Sequence, residues 1–131
     1  MNERELIERY NRAWNDHDVD AICSMHAPDF VFENHTAGER AEGEAAREHI
    51  ARIFENSPDL AFRGRRLYVR DGLVVNEWTA TATRDGRRVE WDGVDVFPIE
   101  EGLIKRKDVY SASHRPRITR GTQGSPGTSP P

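Results

Sequence analysis

The sequence predicts an α+β domain, with three N-terminal helices packed on one face of a curved antiparallel sheet. Two observations carry this expectation. Apolar residues recur at helical spacing through the first half of the chain, and the second half is a series of strand-like runs separated by Asp-Gly or Glu-Gly pairs. A third observation bounds the domain. From residue 114 on, Pro, Gly, Ser and Thr dominate, a composition that cannot bury a core. Residues 1–113 are therefore expected to form the domain and 114–131 a disordered tail.

Leu6, Ile7, Tyr10, Ala13 and Trp14 repeat at helical spacing over residues 3–15 and define an amphipathic first helix. Asn15-Asp16-His17-Asp18 breaks it. Asp18 is placed to cap a short second helix carrying Val19, Ile22, Cys23, Met25 and His26, which Pro28 stops. Residues 30–34 read as a strand. A polar loop over 35–43 leads to a third helix with Ile50, Ile53 and Phe54 inward, ending near Pro58. Residues 60–70, 73–84, 88–99 and 103–112 then read as four strands, punctuated by Asp71-Gly72, Asp85-Gly86 and Glu101-Gly102. Asp-Gly between such runs is a strong hairpin signal.

A chain of 131 residues with 36% hydrophobic content is one domain with a real core. No apolar run approaches the roughly 18–20 residues of a membrane span, and Met1-Asn2-Glu3-Arg4-Glu5 does not resemble a signal peptide. A cytoplasmic protein is the expectation, with no membrane partner. Cys23 is the single cysteine, so an internal disulfide or cysteine metal cluster is excluded. The five histidines show no metal-ligand spacing, and no metal site is expected. Net charge is -4, with acids and bases interspersed. The basic runs Arg63-Gly64-Arg65-Arg66 and Lys105-Arg106-Lys107 read as solvated strand faces, so nucleic acid is not expected as a partner.

The most informative segment is Trp91-Asp92-Gly93-Val94-Asp95-Val96-Phe97. Alternation along a strand puts Trp91, Gly93, Asp95 and Phe97 on one face, with a carboxylate between two aromatic residues. A hairpin at Asp85-Gly86 brings Asn76, Trp78, Ala80 and Ala82 onto that same face. Aromatic walls with a few convergent polar groups are how small-molecule pockets are lined. His35 begins the loop after the first strand, at the expected pocket mouth, and is the titratable base nearest Asn34 in sequence, although alternation turns it from Asn34's side.

This order of elements resembles the SnoaL-like branch of the ketosteroid-isomerase-like (nuclear-transport-factor-2-like) superfamily. The residues that carry the likeness are Ile7-Glu8-Arg9-Tyr10, Asn15-Asp16-His17-Asp18-Val19-Asp20, Pro28-Asp29-Phe30, Glu42-Gly43 and the run from Gly93 to Ile104, and it covers residues 3–112. The resemblance implies a cone-shaped sheet wrapped around the helices, with a pocket between the two layers. It also implies homodimerisation through the outer face of the sheet and chemistry without a cofactor. By resemblance to the steroid isomerases, Tyr10 and Asp95 match an oxyanion-binding tyrosine and protonated acid. The position of their proton-moving base falls on Asn34, which cannot abstract a proton, and His26 and Phe54 fall at supporting tyrosines, which would shorten the phenol network to Tyr10 and His26. By resemblance to limonene-type epoxide hydrolases, Phe32 and Asn34 match the first-strand pair, whereas the arginine and two aspartates fall on Trp78, Ala80 and Val109. SnoaL-type polyketide cyclases use a sheet acid to shuttle a proton, a role open to Asp95.

These readings converge on a cofactor-independent isomerase, cyclase or lyase for a hydrophobic, oxygenated small molecule. Asp95, Tyr10, Asn34 and His35 are the candidate catalytic groups. Trp14, His26, Phe32, Phe54, Asn76, Trp78, Trp91 and Phe97 are the candidate binding groups. A non-catalytic binding or dimerisation module and an epoxide hydrolase-like hydratase are the alternatives. The scaffold alone does not choose among them.

Overall fold

The computed structural model describes residues 1–119 of the chain. Helix α1 (Glu3–Asn15) opens on a capping box, in which the Asn2 side chain accepts from the Glu5 amide and Glu5 returns a bond to the Asn2 amide. Its buried stripe is Leu6, Ile7, Tyr10, Ala13 and Trp14, as the periodicity predicts. Asp18 caps α2 (Val19–Ser24) through the Ala21 amide. Helix α3 (Gly43–Asn56) buries Ala46, Ile50 and Phe54.

The strands are β1 (His26–Asn34), β2 (Glu39–Glu42), β3 (Ala61–Arg70), β4 (Leu73–Arg84), β5 (Arg87–Glu100), β6 (Leu103–Ser111) and β7 (Arg117–Ile118). They form one sheet in the order β2-β1-β6-β5-β4-β3, with β7 alongside β5. Strands β3 to β6 are the antiparallel meander expected from sequence. The Asp85-Gly86 and Glu101-Gly102 turns both have two successive positive φ angles, which match the right-handed twist of the hairpins they close. The helices pack against one face of the curved sheet, and the buried residues of both layers form a single core.

Four local expectations need correction. Helix α2 stops at Ser24 and the chain is already extended at His26. Pro28, expected to end a helix, lies within β1. Proline lacks a ladder donor, and the β1–β6 register slips between His26 and Val31 where Pro28 sits. Strand β1 pairs parallel with β6, so the sheet is mixed. Part of the expected 35–43 loop is the short edge strand β2, whose mostly exposed residues have no apolar alternation to read. Finally, the expected tail does not begin at residue 114. Arg117 and Ile118 pair with Glu90 and Val89, and Arg117 donates to Glu90 and Asp92. Composition missed this because edge pairing needs no apolar residues. The rest of the expected tail, 120–131, lies outside the described residues. No helix among the described residues is long and apolar enough to cross a membrane.

The β4–β5 register fixes the inner wall of the cone: Val74 faces Phe97, Asn76 faces Asp95, Trp78 faces Gly93, and Ala80 faces Trp91. Gly93 leaves room for the indole opposite. A Cβ there would overlap the six-membered ring of Trp78. Gly93→Ala should therefore push Trp78 off its seat and cost about 1–3 kcal/mol as an overpacked site. Urea unfolding with near-ultraviolet circular dichroism checks this, and an unchanged indole signal would count against it.

Candidate functional site

Asp95 projects from the middle of β5 into the cone, and its side chain is only 3% exposed. Burying a carboxylate demands a counter-charge and hydrogen bonds. Lys107 on β6 supplies the charge: its Nζ lies 3.0 Å from Asp95 Oδ2, and its own side chain is 8% exposed. Asn76 Nδ2 donates to the same oxygen at 3.3 Å. Asn76 is held in turn by Asn11 of α1, each amide donating to the other's oxygen at 3.2 and 3.4 Å. The chain of contacts therefore runs from helix α1 to the buried acid.

Aromatic rings enclose the lysine. Its Nζ lies 4.6 Å from the ring centre of Trp14, 5.2 Å from Phe97 and 5.6 Å from Tyr10, distances at which ring faces attract a cation. Two cavities meet at this pair. One, about 430 Å³, opens between α1 and β3 beside Glu8, Asn11, Arg12 and Asn15. The other, about 240 Å³, reaches Phe32, Asn34, Ile53, Trp91 and Ser111. Trp14, Phe62, Trp78, Asp95 and Lys107 line both. Two buried polar atoms on these shared residues have no partner, Asp95 Oδ1 and Trp78 Nε1, while the Trp14 indole interacts with the Tyr10 hydroxyl. Buried polar atoms are ordinarily paired, so these two mark the shared wall as the polar part of the cavities.

The expected site residues divide sharply. Trp14, Phe32, Asn34, Asn76, Trp78, Trp91 and Asp95 line one or both cavities. Asn34 stands at the end of β1, where its Oδ1 accepts from the Ala37 amide and shapes the turn. Tyr10 and His26 face each other inside the core instead. The tyrosine hydroxyl and His26 Nε2 are 2.8 Å apart, and neither residue lines these cavities. Burial pushes the Tyr10 hydroxyl well above its ordinary pKa; a hydrogen bond from Trp14 opposes this, and the nearby Asp95 charge adds to it. Burial, followed by the charge of Lys107, lowers His26 to about 3. His26 is thus neutral near pH 7, and its Nε2 is free to accept from the tyrosine. Phe97 is fully buried as packing beneath Tyr10, their rings 5.4 Å apart and edge-on. Phe54 packs on His17 and Trp14.

His35 turns to the outer face of the sheet, stacked on Tyr110 with Nε2 2.8 Å from Asp108. It lines neither of the two cavities. Glu33, His35 and Asp108 are close enough to share a cation. Arg106 already occupies that role, with hydrogen bonds of 2.9 Å to Glu33 and 2.8 Å to Asp108.

Sequence reasoning missed Lys107, Asn11 and Phe62. Lys107 was placed with a solvated basic run, yet it is in phase with Val109, which faces Asp95 across the β5–β6 ladder. That phase, together with the need of a buried acid for a cation, is the signal that finds it. The resemblance to steroid isomerases also implied a protonated Asp95 that donates. Here Oδ2 accepts from two donors.

Two outcomes follow from this geometry. Lys107→Met leaves Asp95 buried without its counter-charge and should cost about 3–5 kcal/mol, whereas Lys107→Met with Asp95→Leu should recover most of that loss. Urea titrations of the three proteins decide it, and a double variant as weak as the single one would argue against a buried pair. The unfolded His26 imidazole takes up a proton near 6.5, and the folded one resists until about 3. Stability present above pH 6.5 should therefore fall by on the order of 1.4 kcal/mol per pH unit across that window. His26→Gln, which keeps an acceptor for Tyr10, should flatten the slope between those limits.

A family model described as a SnoaL-like domain matches residues 7–107. No curated protein sequence matches the chain. Among solved structures, the fold is similar to that of IdmH from Streptomyces antibioticus, a candidate polyketide cyclase, with TM-score 0.77 and 17% identity over 87% of this chain and 94% of that one. A candidate SnoaL-like polyketide cyclase from Jannaschia sp. CCS1 aligns with TM-score 0.74 and 20% identity, covering 86% of this chain and 88% of that one. A ketosteroid isomerase-like fold from Catenulispora acidiphila, bound to trimethylamine, gives TM-score 0.76 and 16% identity, with 83% and 86% covered. At these identities the likeness to solved structures is one of fold. The family match spans most of the domain, and on that ground the chain belongs to the SnoaL-like domain family.

Proposed function

We propose that this SnoaL-like protein binds a hydrophobic, oxygenated small molecule in the cone and acts on it by cofactor-independent acid/base chemistry, as an isomerase, cyclase or lyase. One observation carries the reading. Asp95 has one oxygen fixed by Lys107 and Asn76, and its other oxygen is buried, unpartnered and beside a cavity. A carboxylate held in that way is oriented to take a proton from a bound molecule and return it elsewhere. The carbonyl or enolate oxygen would be met by the Trp78 indole N–H, which has no partner of its own. Such a donor supplies about 3 kcal/mol when it meets developing charge. Tyr10, with its hydroxyl turned to His26, supports the ring packing. Phe32, Phe62 and Trp91 would enclose the apolar body of the ligand. Two copies joining through the outer face of the sheet belong to the same proposal, and exposed Tyr68 and Tyr110 support it.

A second reading, a receptor that binds without turnover, is favoured by the absence of His26 and His35 from these cavities. One experiment separates the two. Aromatic ketones are screened by tryptophan quenching, and the binders are then incubated with the protein in deuterium oxide. Deuterium should enter at the carbon next to the carbonyl, and Asp95→Asn should slow this by about 100-fold or more. Equal exchange in the variant would remove Asp95 as the acid/base. Tight binding with no exchange would decide for the receptor. Solvent oxygen-18 in the product would instead indicate a hydratase.

A further inference from the structure

Lys105 and Lys107 are the only lysines in the sequence, while arginine supplies all the other long cationic side chains. Lys105 has an ordinary place, reaching Asp29 at 2.8 Å and Glu100 at 3.5 Å on the outside of the sheet. Lys107 is the opposite case. It is buried, its Nζ donates to Asp95 Oδ2, aromatic rings surround it, and it lines both cavities. A guanidinium would make a stronger static partner for a carboxylate, with two parallel hydrogen bonds. It cannot give up its proton, however, whereas an ammonium can.

We propose that Lys107 is a nucleophilic amine that captures the carbonyl of a bound aldehyde or ketone as a protonated Schiff base. The proposal rests on the reading of the cone as a small-molecule site and narrows its ligand to a carbonyl compound. Asp95 takes one proton from the Lys107 ammonium, and the free Nζ attacks the carbonyl carbon. The C–N bond forms as the carbonyl electrons move to oxygen, and a proton passes from nitrogen to that oxygen to give a neutral carbinolamine. Asp95 returns its proton to the carbinolamine hydroxyl, the C–O bond breaks, and water leaves. The product is an iminium cation beside the regenerated Asp95 carboxylate, so net charge in the pocket is unchanged and no oxidant or reductant is needed. The surrounding rings hold bulk water off the amine, and Asp95 lies within hydrogen-bond reach to take its proton. They then face the iminium as they face the ammonium. The iminium draws electrons from the neighbouring carbon, which eases the proton abstraction assigned to Asp95.

The test uses the full chain near neutral pH with 2-naphthaldehyde and cyanoborohydride, which reduces an iminium to a stable amine. Intact mass and peptide mapping then read the label. Lys105 and the terminal amine serve as internal standards in the same molecule. Labelling at Lys107 should run more than about tenfold ahead of Lys105, as a held carbonyl reacts faster than a colliding one. It should persist in Lys105→Arg and be suppressed by 2-naphthylmethanol, which fits the same space without a carbonyl. Labelling of Lys107 no faster than of Lys105 would overturn the proposal. Tryptophan quenching by 2-naphthylmethanol keeps the two readings apart. Quenching without label at Lys107 leaves the cone as a binding site and removes only the amine chemistry. With neither quenching nor label, both fall.

Discussion

A single buried ion pair organises this protein. Asp95 and Lys107 sit on adjacent strands, nearly out of reach of solvent, and each makes the other tolerable. Removing either charge from water is costly, and their attraction offsets the cost only with good geometry and satisfied neighbours. The satisfaction here is incomplete by one carboxylate oxygen. An apolar pair would fill the same space without that deficit, and the proposed function rests on this difference.

The surrounding fold serves to keep the pair in place. The β4–β5 register sets Asn76 opposite Asp95, and Asn11 on α1 anchors Asn76 from the helical layer. Gly93 admits the Trp78 ring one step along the same face. Phe97 supports Tyr10 from below, and Tyr10 and Trp14 present rings to the lysine. Neutral His26 absorbs the tyrosine hydroxyl within the core, so the second titratable group nearby adds no charge. Helix, sheet and ring stack therefore converge on one pair of atoms.

Much of this was legible before any coordinates. Alternation alone put Asp95, Trp91 and Phe97 on the face shared by Asn76 and Trp78, because β4 and β5 pair without interruption. Helical spacing gave the buried stripe of α1. Lys107 was hidden by a local irregularity. The β5–β6 register slips between Val96 and Ile99, a stretch that contains Pro98, so the inward positions change parity between Ile104 and Lys107. A strict period of two cannot be carried across such a slip. The contact of the Tyr10 hydroxyl with His26 was implied by the resemblance, although His26 lies at the start of β1 and not at the end of a helix. His35 is the base nearest Asn34 along the chain, but alternation already turns it from Asn34's side, and it lies against Asp108 and Tyr110.

Trp14, Phe62, Trp78, Asp95 and Lys107 form a wall common to two chambers, one bounded by Asn11 and the other by Asn34. A change of size or charge at any of the five therefore reshapes both chambers at once.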